Sequence, residues 1–347
     1  MFSNGAIAPH RFCTAPMLDH TDRHCRYFFR QLSRHALLYT EMITSGALLH
    51  GDAARHLDFD PAEHPLALQL GGSEPDELAR CAELAAQWGY DEINLNVGCP
   101  SERVQRGAFG ACLMAEPQLV ADCVKAMRNA CALPVTVKHR IGIEATGARI
   151  DAESYDFMRD FVGTVGAAGC TAFIVHARKA ILKGLSPKDN RAIPPLKYDY
   201  VYRLKRAFPS YRIVINGGIN DWPAIEQHLQ QVDGVMLGRA AYHDPYLLAD
   251  VDRRCYDPAA PTPSRERVVA AMVSYAERAV ARGTLLRNIT RHMLGLFHHL
   301  PGARNWRRML SDAQLLRPND PSVLLRALDA VRTLPFEERG ALAFADG

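Results

Sequence analysis

Short apolar runs recur along the first two thirds of the chain, separated by segments in which apolar residues return at helical spacing. The runs are Phe12 to Met17, Ala36 to Met42, Leu66 to Leu70, Glu92 to Asn96, Pro134 to His139, Ala172 to His176, Arg212 to Asn216 and Gly234 to Leu237. Each is short, rich in Val, Ile, Leu or Phe and bounded by Gly, Pro, Asn or Asp, which predicts a buried strand. Between the third and fourth runs, Glu74 to Trp88 sets Leu78, Cys81, Ala82 and Ala85 on one helical face and stops at Gly89. Between the fourth and fifth, Pro117 to Ala132 does the same with Leu119, Val120, Cys123, Val124 and Met127. Eight strand-helix repeats over about 230 residues predict an α/β fold of the (β/α)8 TIM-barrel type, with a doubly wound open sheet as the alternative.

After Pro245 the pattern changes. Asp257 to Ser264 is rich in Pro and Ala and ends in a helix-capping serine, as a linker does. Beyond it, Arg265 to Arg282, Leu285 to Leu300, Ala303 to Leu315 and Ser322 to Leu334 carry helical spacing with short connections, so a small all-α helical bundle is expected. The expected division is a catalytic barrel over 1–255 and a helical domain over 264–335.

In a barrel the chemistry gathers at the carboxyl ends of the strands. Those ends read Ala15-Pro16-Met17-Leu18-Asp19, Glu41, Gln69, Asn96 with Cys99 just beyond, Lys138-His139-Arg140, His176-Ala177-Arg178, Asn216-Gly217-Gly218 and Gly238-Arg239. Any one of them has an ordinary explanation; together they outline a site. Asn216-Gly217-Gly218 and Gly238-Arg239 fall after the seventh and eighth strands, where barrels expose backbone N–H groups to a phosphate. A phosphorylated ligand is implied. No G-x-G-x-x-G opens a βαβ unit and no P-loop motif occurs, which disfavours a Rossmann dinucleotide site and P-loop chemistry.

The most informative stretch is Asn94 to Ser101, following Asp91, Glu92 and Ile93. Pro100 keeps a helix from starting at Cys99, and Gly98 is expected to make the turn that presents the thiol at a pocket mouth. Asn94 and Asn96, two residues apart, share one face of the strand.

Formal net charge is only +3, from 41 Lys and Arg against 38 Asp and Glu, so the sum says little about partners. Distribution says more. From Arg278 to Ser311 there are seven arginines (Arg278, Arg282, Arg287, Arg291, Arg304, Arg307 and Arg308), three histidines and no Asp or Glu. That is the footprint of a polyanion, and Asn305 with Trp306 suggests stacking on a base or sugar. The nine cysteines stand singly, with no CxxC pair, so neither a disulfide framework nor a metal site is expected. Met1 to Arg11 lacks the pattern of a signal segment and no run reaches the length of a bilayer span, so a cytoplasmic protein without membrane association is expected. A monomer is expected as well.

At this point the residues resemble a known family. Ala15 to Asp19, Leu68 to Gly72, Asn94 to Ser101, Val137 to Gly142, Val175 to Ala180, Gly184 to Lys188, Ile215 to Gly218 and Gly302 to Arg304 are similar, in order and over almost the whole chain, to the tRNA-dihydrouridine synthases of the A subfamily. The resemblance implies an FMN-dependent barrel with a C-terminal helical RNA-binding domain, reducing uridines of the tRNA D-loop at positions 20 and 20a with NADPH. It implies Cys99 as the proton donor. It assigns Pro16, Met17, Leu18, Gln69, Lys138, His176, Asn216, Gly217, Gly218, Gly238 and Arg239 to a tightly bound FMN, and Asn96, Lys188, Arg191, Arg304 and Arg307 to tRNA. Departures are His20 where relatives have Trp, His139 where they have Thr, and a longer Glu144 to Asp151 loop.

Reducing the C5=C6 bond of uracil requires a hydride at C6 and a proton at C5, and the resemblance supplies both, from reduced flavin and from Cys99. An ordinary thiol titrates near pH 8.5 and so holds its proton near neutrality, as an acid must. Lys138 would place positive charge by the flavin, and the target base must leave its stack to reach it. NADPH would use the same flavin face in turn, giving ping-pong kinetics. Two other classes compete: a flavin barrel acting on a small pyrimidine or enone, for which the arginine-rich helices are superfluous, and a non-catalytic tRNA-binding protein, for which Cys99 and Lys138 are.

Overall fold

The computed structural model describes residues 9–101, 104–105, 107–144, 151–152 and 155–332. They form two compact units, residues 9–21 with 36–238 and residues 22–35 with 239–332. The longer loop expected over Glu144 to Asp151 lies largely outside the described residues.

The first unit is the barrel. Its strands are β1 (Phe12–Thr14), β2 (Leu38–Thr44), β3 (Leu66–Gly71), β4 (Glu92–Val97), β5 (Val135–Arg140), β6 (Ala172–His176), β7 (Arg212–Asn216) and β8 (Gly234–Leu237). All pairs are parallel, in the order β1-β8-β7-β6-β5-β4-β3-β2. The seam between β1 and β2 is closed by a parallel bridge at Cys13 and Leu37, with Thr14 donating to the Leu37 carbonyl and Leu37 to that of Phe12. All eight expected strands are present, and the open-sheet alternative is excluded. Helices Pro75–Trp88, Pro117–Ala130, Tyr155–Ala167, Tyr198–Ala207 and Trp222–Leu229 fill the crossovers, the first ending at Gly89 with φ +86°.

Every second strand residue points inward, and the interior is chemically divided. Cys13, Ala15, Leu37, Tyr39, Ala67, Ile174, Val214 and Met236 pack as one apolar cluster. β3, β4 and β5 add the inward polar residues Gln69, Glu92, Asn94, Asn96, Thr136 and Lys138. Glu92 is fully buried on the barrel floor, where the His10 Nε2 lies 2.6 Å from it and Tyr39 Oη donates to it at 2.8 Å. Arg212 donates to Nδ1 of His10 at 3.2 Å, which leaves Nε2–H as the donor to Glu92. Burial pushes the Glu92 carboxyl upward, but the adjoining His10 ring and the hydrogen bonds from His10, Thr136 and Tyr39 outweigh this and hold it below its ordinary value.

The second unit is helical, and part of it comes from the N-terminal region. Asp22 caps helix Arg23–Leu32 and forms an ion pair with Arg291. Tyr27 stacks on Tyr275 at 4.0 Å between ring centroids, and His24 Nδ1 lies 2.7 Å from the Tyr275 hydroxyl. Asp252 accepts from the Ser33 hydroxyl and from two backbone N–H groups beyond it. Helices Arg265–Ala281, Leu286–Thr290, Ala303–Ser311, Ala313–Leu316 and Val323–Arg332 follow; of the last expected helix, residues 333 and 334 lie outside the described chain.

The expected single helix from Leu285 to Leu300 is corrected: it stops at Thr290 and continues as tight turns. The carbonyls a longer helix would use are taken by side chains, with Trp306 Nε1 donating to Met293 O at 2.8 Å and Arg265 Nε to Leu296 O at 2.8 Å. His299, at φ +62°, completes the break. The expected helix from Ala303 to Leu315 likewise divides at Asp312, which caps its second half. No helix of the described residues is long and apolar enough to cross a membrane.

Candidate active site

The parallel register sets the inward polar residues side by side at the carboxyl end of the barrel. Asn96 pairs with Lys138, Gln69 with Asn94, and Asn216 with both His176 and Met236. Lys138 Nζ donates to Asn216 Oδ1 at 3.2 Å, and Asn216 Nδ2 donates to the Met236 carbonyl at 2.8 Å. Gln69, 1% exposed, donates through Nε2 to Asn94 and accepts from Asn96 Nδ2 at 2.9 Å.

Cys99 is half-buried just past β4. The turn that carries it is made differently from the sequence expectation. Gly98 does not adopt a left-handed conformation; instead Asn96 Oδ1 accepts from the N–H groups of both Gly98 and Cys99, at 3.0 Å each. The loop is fastened on every side. Ala111 donates to the Cys99 carbonyl at 2.9 Å, Gln105 to the Pro100 carbonyl at 2.8 Å, and Arg140 Nε to the Gly98 carbonyl at 3.0 Å. The thiol itself lies 3.5 Å from the Ser101 hydroxyl.

Lys138 shares this end of the barrel, and burial lowers its ammonium to about 7, with the Arg140 charge adding to the effect and the Cys99 side chain opposing it. A cation held so near neutrality gains most from a ligand that brings negative charge. The glycines offer a place for such a ligand. Gly217 and Gly218 have φ of +112° and +70°, and a Cβ on either would lie 2.6 Å from the His176 ring or from Leu196. Their N–H groups meet no partner among the described residues. Two successive unpartnered N–H groups at positive φ make an anion nest, so the residues present fit a phosphate-bearing cofactor. Tyr198, which donates to the Gly217 carbonyl at 2.8 Å, holds the nest in place.

Of the other expected cofactor residues, Pro16 and Met17 are half-buried, Leu18 is 64% exposed, and a Cβ on Gly238 would lie 3.4 Å from both Ala15 Cβ and Met17 Sδ. Arg239 opens the short helix Arg239–His243 of the second unit. Lys188 and Arg191 are exposed on a loop whose centre, Asn190, is buried: its side chain accepts from Ile181 N–H and donates to Ile181 O, while Arg140 Nη1 donates to its carbonyl. Arg140 thereby ties the Cys99 loop to the Lys188 loop, a role its place at a strand end did not reveal. Asn190, Tyr198 and Thr136 had no sequence signal beyond a polar residue in an apolar setting.

In the second unit Arg304 and Arg307 are exposed on helix Ala303–Ser311 and make no ion pair among the described residues. Trp306 corrects an expectation. It is 0% exposed, packed on Phe297 with its N–H on Met293, and is a core residue with no face for a base.

His139, one of the three departures, alternates with inward-facing Lys138 and points away from the barrel interior. It is enclosed between Phe161 and Phe173, burial lowers it to about 4, and its Nδ1 lies 2.6 Å from the Arg140 carbonyl.

The model of the dihydrouridine synthase family (Dus) matches residues 13–331. The chain belongs to the dihydrouridine synthase family. Among its curated relatives, the tRNA-dihydrouridine(20/20a) synthase of Synechocystis sp. is 56% identical over 330 residues, covering 95% of this chain and 96% of the relative. Those of Pseudomonas aeruginosa and of Escherichia coli K12 are 58% and 57% identical over 306 and 322 residues, covering 88% and 92% of this chain and 90% and 91% of theirs. For a dihydrouridine synthase the arrangement is coherent: a thiol at the mouth, a cation beside it and an anion nest on the next strands but one.

Proposed function

We propose that the chain reduces uridine to 5,6-dihydrouridine at positions 20 and 20a of the tRNA D-loop, with FMN in the barrel mouth and NADPH as electron donor. The observation that carries this reading is the half-buried Cys99 on its fastened loop, at the same strand ends as Lys138 and the Gly217-Gly218 nest. The near-full-length relatives named as tRNA-dihydrouridine(20/20a) synthases give it its substrate.

A flavin held here and reduced by NADPH would supply the hydride for C6 of the uracil. Cys99 gives its thiol proton to C5 and recovers one from solvent, so the base gains two hydrogens and the protein returns to its starting state. Lys138, His176, Gly217, Gly218 and Asn216 would hold the FMN, with Pro16, Met17, Leu18, Gln69, Gly238 and Arg239 completing its contacts. Lys138 contributes a positive charge where negative charge develops. Asn96 keeps one hydrogen of Nδ2 beyond its bond to Gln69, which suits a uracil carbonyl. Since a stacked base cannot present its C5=C6 bond inside the barrel mouth, the uridine must be everted into it while Lys188, Arg191, Arg304 and Arg307 grip the backbone. In this division of labour the barrel performs the chemistry and the helices that follow Ser264 hold the tRNA of a monomeric, cytoplasmic enzyme.

The test is incubation of purified protein with NADPH and unmodified tRNA transcript, followed by nucleoside mass spectrometry and mapping by digestion. Dihydrouridine at positions 20 and 20a is the expected result. Flavin-loaded protein that oxidises NADPH yet leaves unchanged both the transcript and tRNA from a strain lacking this gene would turn the assignment toward a small-molecule substrate.

A further inference from the structure

The inward polar side chains of β3, β4 and β5 make one continuous file, and its hydrogen bonds all donate in the same direction. It begins at Glu92 on the barrel floor, whose ionised carboxylate can only accept. Thr136 Oγ1 donates to it at 2.6 Å. A hydroxyl whose proton is committed has only lone pairs left, so Asn94 turns its Nδ2 toward Thr136, at 2.9 Å. That leaves Asn94 Oδ1 for Gln69, whose Nε2 donates at 2.8 Å; Gln69 Oε1 then faces Asn96 Nδ2 at 2.9 Å. The last free oxygen, Asn96 Oδ1, receives the N–H groups of Gly98 and Cys99. Reversing any one amide would set two oxygens or two NH2 groups against each other on both sides, in an interior where an unmade hydrogen bond is expensive.

We propose that Glu92, acting through Thr136 and Asn94, sets the orientation of the Gln69 and Asn96 amides at the barrel mouth and so positions the Cys99 loop. Glu92, Thr136 and Asn94 are positioning residues: none reaches the mouth, and their effect is carried by the fixed polarity of the file. Gln69 is thereby constrained to offer its neighbours an oxygen on one side and an NH2 on the other, and the Cys99 N–H is locked onto Asn96. This deepens the proposed function and rests on its reading of Cys99 as proton donor.

Thr136→Val removes the hydroxyl while keeping the side chain's shape, and Thr136→Ser keeps the hydroxyl. In the full-length enzyme, kcat for tRNA reduction is expected to fall about tenfold in Thr136→Val with KM for tRNA within about twofold, since a small misplacement of a reacting group acts on the chemical step. Thr136→Ser should recover it. A second readout needs no turnover: in flavin-free protein, alkylation of Cys99 followed by peptide mass spectrometry should change several-fold in Thr136→Val and not in Thr136→Ser. Half-buried Cys131, whose thiol bonds to the Met127 carbonyl at 3.7 Å and to no member of the file, serves as the internal reference and should keep its rate. Wild-type kcat and wild-type Cys99 alkylation in Thr136→Val would overturn the inference, as would equal losses in the valine and serine variants. If Thr136→Val does not fold, side-chain amide NMR of the wild type decides: Gln69 and Asn94 NH2 protons should exchange far more slowly than those of exposed Gln118, and equal rates would overturn the file. A wild-type protein that forms no dihydrouridine overturns the proton-donor reading instead, and the alkylation comparison still tests the positioning.

Discussion

The ammonium of Lys138 on β5 and the side-chain oxygen of Asn216 on β7 stand 3.2 Å apart, spanning the end of β6 between them. This single bond joins a cation held near its point of neutralisation to the strand that leads into the glycine nest. An anionic cofactor bound at this end of the barrel is expected to take up a proton there.

Burial lowers Lys138 to about 7 from an ordinary 10.5, so in flavin-free protein its charge is lost as pH rises through neutrality. Negative charge on a bound flavin restores it. Binding of FMN at pH 8 is therefore expected to take up close to one proton, measured by calorimetry in buffers of differing ionisation enthalpy, and Lys138→Met should abolish the uptake. Stability carries the opposite signature. The desolvation penalty is present in full below pH 7 and is relieved between 7 and 10.5, so Lys138→Met should exceed the flavin-free wild type in thermal stability most at low pH, the gap closing as pH rises. Proton-independent FMN binding would refute the charge assigned to Lys138.

Cys99→Ala should leave the loop intact, because its fastenings are backbone groups and the side chains of Asn96, Gln105 and Arg140. The variant is expected to purify with flavin, to oxidise NADPH at the wild-type rate and to lose at least about 100-fold in tRNA reduction, the scale of a missing general acid. Undiminished reduction would move the proton donor elsewhere.

Arg304 and Arg307 are exposed and without ion pairs among the described residues, so their charge is available to phosphate. Replacing both with Ala should weaken tRNA binding and lower the slope of log affinity against log salt by about one for each phosphate no longer neutralised, with NADPH oxidation unaffected. An unchanged slope would place the RNA-binding surface elsewhere.

Trp306 tests the difference between a core residue and a stacking platform. Trp306→Phe keeps an aromatic ring but gives up the hydrogen bond to Met293, and should destabilise the second unit by about 1–3 kcal/mol in denaturant unfolding. The folded variant should bind tRNA as wild type does. A loss of affinity without loss of stability would restore the stacking role.

Much of the barrel is legible because buried parallel strands are written as apolar runs and punctuated by Gly, Pro and Asn; β6, β7 and β8 match their runs residue for residue. The mouth is legible for a related reason, since polar residues at strand ends stand out against such runs. The floor is not. Glu92 looks like one member of an acidic pair, yet Asp91 is exposed and caps Leu66 N–H while Glu92 faces inward, a difference that only strand direction reveals. Gly98 suggests itself as the maker of the turn at Cys99 because glycine is the usual permissive residue, whereas the acceptor that shapes the turn is the Asn96 side chain, two residues before Gly98. The helix after Leu285 is misread for want of long-range information: nothing local in Met293 or Leu296 says that Trp306 and Arg265 will claim their carbonyls.

The chain enters the helical unit at residue 22, leaves it at 35 and returns at 239. Helix Arg23–Leu32 is fixed there by Tyr275, Arg291 and Asp252, all of which lie more than 200 residues further along the sequence. The helices are therefore not an appendage that recombination can add or delete at one point in a gene. An exchange after residue 255 would strand Arg23–Leu32 without its packing partners, so the first strand-helix connection and the C-terminal helices must be inherited together. For the same reason, transplanting the helical unit onto another barrel requires two grafts, one of them inside the barrel's own opening segment.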